Sequence, residues 1–124
     1  KHELWSSNLI QSNPEAVYKV HKAFVDSGAE IILTNTYQAS VQSFLNIGID
    51  RETARTYLAK AVELATRAAG NRAIVAGSLG PYGAMLGNGS EYTGDYEETE
   101  ADYIQYHKER LRYTDRNRYK CLWV

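Results

Sequence analysis

Residues 73–96 read AIVAGSLGPYGAMLGNGSEYTGDY. The first four residues are a short apolar run, and the segment after them holds six of the chain's nine glycines. A buried strand feeding a Gly-rich, aromatic-dotted loop is a common way for α/β proteins to present groups to a ligand. Upstream, residues 30–34 (EIILT) are apolar and β-branched without alternation. That is the pattern of a strand buried on both faces in a parallel sheet.

Helical patterns separate and flank these two strands. Asn13-Pro14-Glu15 is a helix start: Asn caps, Pro arrives with φ pre-set, and Glu favours the positive end of the dipole. Val17, Val20, Phe24 and Val25 follow at helical spacing, and Gly28 can stop the helix, predicting a helix over 14–27. Ser40 predicts the cap of a short helix ending at Gly48. Asp50 caps a longer helix that ends before Gly70, with a small-residue stripe of Ala54, Leu58, Ala61, Val62 and Ala65 suited to packing flat on a sheet. Six acids and no base lie in 91–102, and six bases against two acids lie in 108–120. A helix over 98–117 would match these runs to its dipole, so they need no binding partner. Its core face is expected to carry Ile104 and Leu111, with Tyr103 and His107 nearby. Residues 119–124 (YKCLWV) read as a third strand or a loose tail. Helix, strand, helix pair, strand, long loop and helix together imply βα units and a parallel sheet.

The chain has 124 residues and a formal net charge of −1, enough for one domain. It lacks the basic excess that would bind nucleic acid or anionic lipid, and its apolar runs fall far short of the roughly 20 residues of a membrane span. The single cysteine, Cys121, excludes an intrachain disulfide and fits a reducing, cytoplasmic setting. The chain opens on Lys1, which suggests a processed start or a piece of a longer polypeptide.

Ligands of a βα-built sheet meet the loops after the strands, here 34–38 (TNTYQ) and 77–95. Hydroxyl, amide and aromatic groups at both strand ends fit a polar small-molecule pocket. The alternative is that Thr and Asn only satisfy loop backbone while Tyr37 packs on a helix. GSLGPYG at 77–83 is neither GxGxxG nor a P-loop, and Pro81 removes an N–H that a phosphate cradle would use. Asn88-Gly89-Ser90 reads as a turn. His21 and His107 read as core or capping residues, His2 as terminal, and no catalytic or zinc-ligand constellation emerges.

Four stretches together resemble the homocysteine S-methyltransferase family. They are Leu4-Trp5-Ser6; Asn13-Pro14-Glu15 leading to Gly28-Ala29-Glu30; Thr34 to Ser40 (TNTYQAS); and Gly77 to Ala84 (GSLGPYGA), followed by Gly89-Ser90-Glu91-Tyr92 and Gly94-Asp95-Tyr96. The match spans about residues 4–113 and looks closest to the branch using S-methylmethionine or S-adenosylmethionine rather than betaine or folate. The resemblance implies an α/β fold, a partial (β/α)8 barrel covering roughly its second and third strands and their helices. It implies zinc-dependent methyl transfer to homocysteine, giving methionine. The implied substrate-binding residues are Trp5, Thr34, Asn35 and Tyr37 near homocysteine, with Gly80, Pro81 and Tyr82 shaping the wall near the donor. The family's zinc sits on late cysteine motifs that this sequence lacks, and Cys121 is not in such a motif.

The implied domain is therefore an incomplete homocysteine-binding domain over 1–124 with a divergent tail at 119–124. Expected partners are homocysteine and a sulfonium methyl donor, with no nucleic acid and no membrane. Without the ligands that ionise the thiol, the chain alone is expected to bind no zinc and be inactive. Unpaired strand edges would favour self-association. The competing reading is a non-catalytic binding or regulatory polypeptide; an unrelated phosphate-binding domain is a third.

Overall fold

The structure, a computed structural model, describes residues 5–114. The expected strand or tail at 119–124, Cys121 and the last residues of the final predicted helix lie outside the described residues. A 3-10 turn (Trp5–Asn8) leads into the short helix α1 (Leu9–Ser12) and then α2 (Pro14–Asp26). Asn13 caps α2 as its sequence demands, its side-chain oxygen accepting from the Ala16 N–H at 3.1 Å. Gly28, at φ +95°, turns the chain out of the helix into β1 (Ile31–Leu33). Next come α3 (Val41–Asn46) and α4 (Arg51–Ala69), followed by β2 (Ile74–Ala76). Ser40 and Ser43 form a reciprocal capping box on α3, and Asp50 accepts from the N–H groups of Glu52 and Thr53 at the start of α4.

β1 and β2 pair in parallel, with Ile31 opposite Ile74, Ile32 opposite Val75 and Leu33 opposite Ala76. α4 packs on α2 and on both strands. Between them lies a core of Val25, Ile32, Ala65, Ala68, Ala69 and Val75. Of the predicted small-residue stripe only Ala65 joins this core, beside Ala68 and Ala69, while Ala54 and Leu58 pack on α3 instead of the sheet. A second core joins Ala39, Val41, Phe44, Ala54 and Leu58, with the rings of Phe44 and Tyr57 5.5 Å apart.

The strands differ from the expectation in one respect. Burial on both faces was predicted, yet Ile31 and Leu33 are 49% and 48% exposed and Ile74 is 42% exposed. The helices cover the face of Ile32 and Val75, and the other face stays partly open at Ile31, Leu33 and Ile74 although Ala76 is buried there. On α2 the buried stripe is Val17, His21 and Val25. It is centred on His21 and faces α4, so Val20 and Phe24 fall at its flank and are 55% and 60% exposed.

The glycine-rich stretch is also more ordered than a loop. It contains two short helices, α5 (Tyr82–Leu86) and α6 (Ser90–Thr93). Between them Asn88 accepts from the Ser90 N–H, the expected turn. Gly83 allows the two to pack: a Cβ there would lie 2.7 Å from the Glu91 nitrogen. α7 (Glu100–Thr114) follows. Its core face is not Ile104, which is exposed, but Tyr106 and Arg110, both buried. The aromatic cluster around Tyr82 and the loops after the strands accept this polar face. An apolar heptad reading could not anticipate that.

Candidate functional site at the strand ends

Both strands end in polar residues, and the two following loops are bonded into one platform. The Thr34 N–H continues the ladder to Ala76 O at 2.9 Å. Beyond it the side chains take over. The Ser78 N–H donates to Thr34 Oγ1 at 3.0 Å, and Thr36 Oγ1 donates to Ser78 O at 2.8 Å. The Thr36 proton is thus engaged, so in the 2.7 Å contact between the two hydroxyls Thr34 is the donor. The Gly80 N–H donates to Tyr37 O at 3.0 Å. A side chain at position 80 would block this approach, since its Cβ would come within 2.6 Å of Tyr37 O.

The residues implicated by sequence divide between two neighbourhoods. Thr34, Asn35, Tyr37 and Gly80 meet at the strand ends. Thr34 is buried with its hydroxyl spent on the platform, so its role there is to hold the loops. Tyr37 is exposed at the rim, its ring edge against Gly80. Asn35 links the platform to the opening turn: its Nδ2 donates to Ser6 O at 3.4 Å and Ser7 Oγ donates to Asn35 O at 3.1 Å. Trp5 begins that turn. Asn35 Oδ1 is buried without a hydrogen-bond partner among the described residues, an acceptor facing the same region.

Pro81 precedes α5, and Tyr82 turns to a different environment. Its ring packs against Tyr96, Tyr103 and Tyr106 with centroids 5.2–5.7 Å apart, and its hydroxyl donates to Glu98 at 3.1 Å. Burial first, and then the Glu98 carboxylate, raise the Tyr82 pKa. Tyr82, Tyr106, Ser40, Asp102 and Glu109 border a cleft of about 280 Å³ between α3 and α7. Its polar groups are already engaged: Glu109 pairs with Arg51 at 2.5 Å and Asp102 accepts from the Thr99 N–H. Tyr106 borders this cleft and also accepts from Arg110 Nη1.

Three residues at the platform were not selected in the sequence as site residues: Thr36, Ser78 and Arg110. Arg110 is 1% exposed. Its Nη1 donates to Gly80 O at 2.6 Å and to the Tyr106 hydroxyl at 3.2 Å. Its Nη2 donates to Thr36 O at 2.9 Å and Tyr37 O at 2.8 Å. Burial lowers its pKa, yet a guanidinium starts so high that it stays charged. The sequence signal was the Tyr106–Arg110 spacing of four on α7, a stacked pair with the guanidinium 5.0 Å from the ring centroid. Among the described residues no group of three or more His, Cys, Asp or Glu could hold a metal ion.

A parallel β-α-β unit with a polar platform at its strand ends is the repeating unit of (β/α)8 barrels, and the fold here is consistent with a partial barrel of that kind. The family model for homocysteine S-methyltransferase matches residues 1–124, and this chain belongs to that family. It is 42% identical over 123 residues to a betaine-homocysteine S-methyltransferase of Drosophila melanogaster, covering 87% of this chain and 37% of the relative. It is 38% identical over 125 residues to homocysteine S-methyltransferase 1 of Arabidopsis thaliana, covering 88% and 38%. Its fold matches the oxidized form of the homocysteine methyltransferase MmuM of Escherichia coli with a TM-score of 0.83, at 34% identity over 91% of this chain and 42% of that one. The metallated form of the same enzyme matches at 0.81, with 35% identity over 90% and 42%. The chain thus spans about two-fifths of the relatives it matches.

Proposed function

We propose that residues 1–124 form part of a homocysteine-binding domain and supply one wall of its pocket. The reaction is methyl transfer from a sulfonium donor, S-methylmethionine or S-adenosylmethionine, to homocysteine. The homocysteine thiol gives up its proton to solvent, and a lone pair of the resulting thiolate forms the new C–S bond as the donor's C–S bond breaks and its electron pair returns to the donor sulfur, leaving methionine and a neutral thioether. The observation that carries this reading is the strand-end platform, which presents Asn35, Tyr37 and Gly80 together in a chain of this family. Its part is binding and orientation, with Tyr37 as an exposed aromatic rim. Tyr82 and Pro81 act behind that wall, bracing it against α7.

The 124-residue chain alone is inactive in this proposal, and its setting is cytoplasmic. A free thiol with a pKa of about 8.5 is mostly protonated at neutral pH. No described residue at the platform is placed as its base; His21 lies within the α2–α4 core and His107 on α7. No described helix is long and apolar enough to cross a membrane. A second reading, association with another copy of the chain, is favoured by the exposed Ile31, Leu33 and Ile74 on one sheet face.

One purified sample tests these readings. Homocysteine should shift the amide resonances of Tyr37 and Gly80, and no shift at saturating homocysteine would remove the pocket assignment. Incubation with homocysteine and either sulfonium donor should yield no methionine; turnover with one equivalent of bound zinc would overturn inactivity. Betaine run beside them tests the donor class, because the Drosophila relative is named for it. Light scattering should show concentration-dependent association that Leu33→Lys abolishes.

A further inference from the structure

The two strand-end loops touch through few groups of their own, and a third element lies beneath them. Arg110, on α7, is 74 residues from Thr36 and 30 from Gly80, yet its two terminal nitrogens reach carbonyl oxygens in both loops. We propose that Arg110 is the positioning residue of the platform, fixing the spacing of the loops that wall the homocysteine pocket. The functional half of this inference rests on the reading of those loops as a substrate wall; the mechanical half does not.

The chemistry of the guanidinium suits this task. It is planar and rigid, so donors on Nη1 and Nη2 hold a fixed separation, and their acceptors inherit it. Nη1 takes Gly80 O from the second loop, and Nη2 takes Thr36 O and Tyr37 O from the first. An ammonium at this position is a single point and could not impose that separation. The contact also orients the backbone. Peptides are planar and trans, so turning the carbonyls of Thr36 and Tyr37 toward Arg110 turns the N–H groups of Tyr37 and Gln38 the other way. If α7 only needed anchoring, an apolar side chain would do so without the cost of desolvating a cation. The absence of a side chain at Gly80 completes the device, because the loops can close to this spacing only there.

Amide hydrogen exchange on the intact 124-residue chain tests the proposal without substrate. The reporters are Ser78 and Gly80, whose N–H groups bond to Thr34 Oγ1 and Tyr37 O across the loops. Arg110→Lys keeps the charge and stem, and should speed exchange at both by roughly tenfold, while amides in the middle of α4 change little. Arg110→Gln, which keeps a planar two-donor end, should fall between Lys and the native residue. Equal acceleration of the loop and α4 amides would reduce Arg110 to general stability and overturn the proposal. Unchanged exchange at Ser78 and Gly80 would overturn it as well. If Arg110→Gln does not fold, Arg110→Lys decides alone. A second readout concerns the pocket: in Arg110→Lys, read where the variant is fully folded, the homocysteine-induced shift of Gly80 should fall. Exchange is read without homocysteine. Its failure leaves the pocket reading standing, whereas a native chain unresponsive to homocysteine sinks that reading and leaves the exchange result intact.

Discussion

Between α2 and α4, Val25, Ile32, Ala65, Ala68 and Val75 are in contact, and apolar area removed from water holds them together. A few residues further along the same strands, Thr34, Thr36, Ser78 and Gly80 are joined by hydrogen bonds to one another and to a guanidinium. The first region tolerates any close-fitting apolar set, because the hydrophobic effect has no direction. The second works only in one geometry, because each donor has one acceptor placed for it and an orphaned buried group is costly. One chain thus carries a forgiving layer that builds the scaffold and an exacting layer that shapes the site.

The largest effect should come from breaking the second apolar core, between α3 and α4 and of the same forgiving kind, by volume rather than chemistry. Phe44 is fully buried between α3 and α4, its ring tilted against that of Tyr57. Phe44→Ala should cost about 3–5 kcal/mol in urea unfolding, whereas Phe44→Leu, which keeps most of the volume, should cost about half of that or less. Similar losses for the two variants would mean that this layer is as shape-specific as the platform, and the contrast would fail.

The exacting layer should respond to a single added methyl. In Gly80→Ala the new Cβ would meet Tyr37 O at 2.6 Å and the Ala84 Cβ at 3.0 Å. The first of these is backbone and cannot swing aside, so the loops must part. A cost of about 1–3 kcal/mol is expected, together with faster exchange of the Gly80 and Ser78 amides. An unaltered urea midpoint and unaltered exchange would show that the loops are not closely docked.

The same contrast decides what could be read from the sequence. Helix starts at Asn13, Ser40 and Asp50 follow local rules and are found where the rules place them, and the stripe of Ala54, Leu58, Ala61, Val62 and Ala65 is buried, though only Ala65 of it joins the sheet core. Motif likeness pointed to the strand ends, and Thr34, Asn35, Tyr37 and Gly80 do converge there. For Arg110 only the spacing to Tyr106 was legible, and its bonds to the loops were not, because those partners lie 30 and 74 positions away. The exposed Ile31 and Leu33 were misjudged for a related reason: an apolar strand states that both faces suit burial, not that this stretch of chain supplies both covers. Val20 and Phe24 lost their place to His21, a polar residue that periodicity counts discard.

His21 offers the finest test, since it puts a titratable group inside the forgiving layer. It is buried on the α2 face toward α4, and its Nε2 has no hydrogen-bond partner among the described residues. Burial lowers its pKa from the ordinary 6.5. The unfolded chain then binds this proton at a higher pH than the folded chain does. The stability is complete above about pH 6.5 and is lost as pH falls through the lowered folded value. His107 adds a slope of the same sign, its pKa lowered first by burial and then by the Arg110 charge. Urea midpoints taken in the His107→Gln background isolate His21: they should drop between pH 7.5 and pH 5.5, and His21→Leu should flatten the dependence. A slope that survives in the double variant would belong to another group, whereas no slope in the His107→Gln background would mean that His21 is solvated when charged. The α2–α4 layer would then admit water where it packs against the sheet, and the distinction between a dry scaffold and a hydrogen-bonded platform would have to be redrawn at α2.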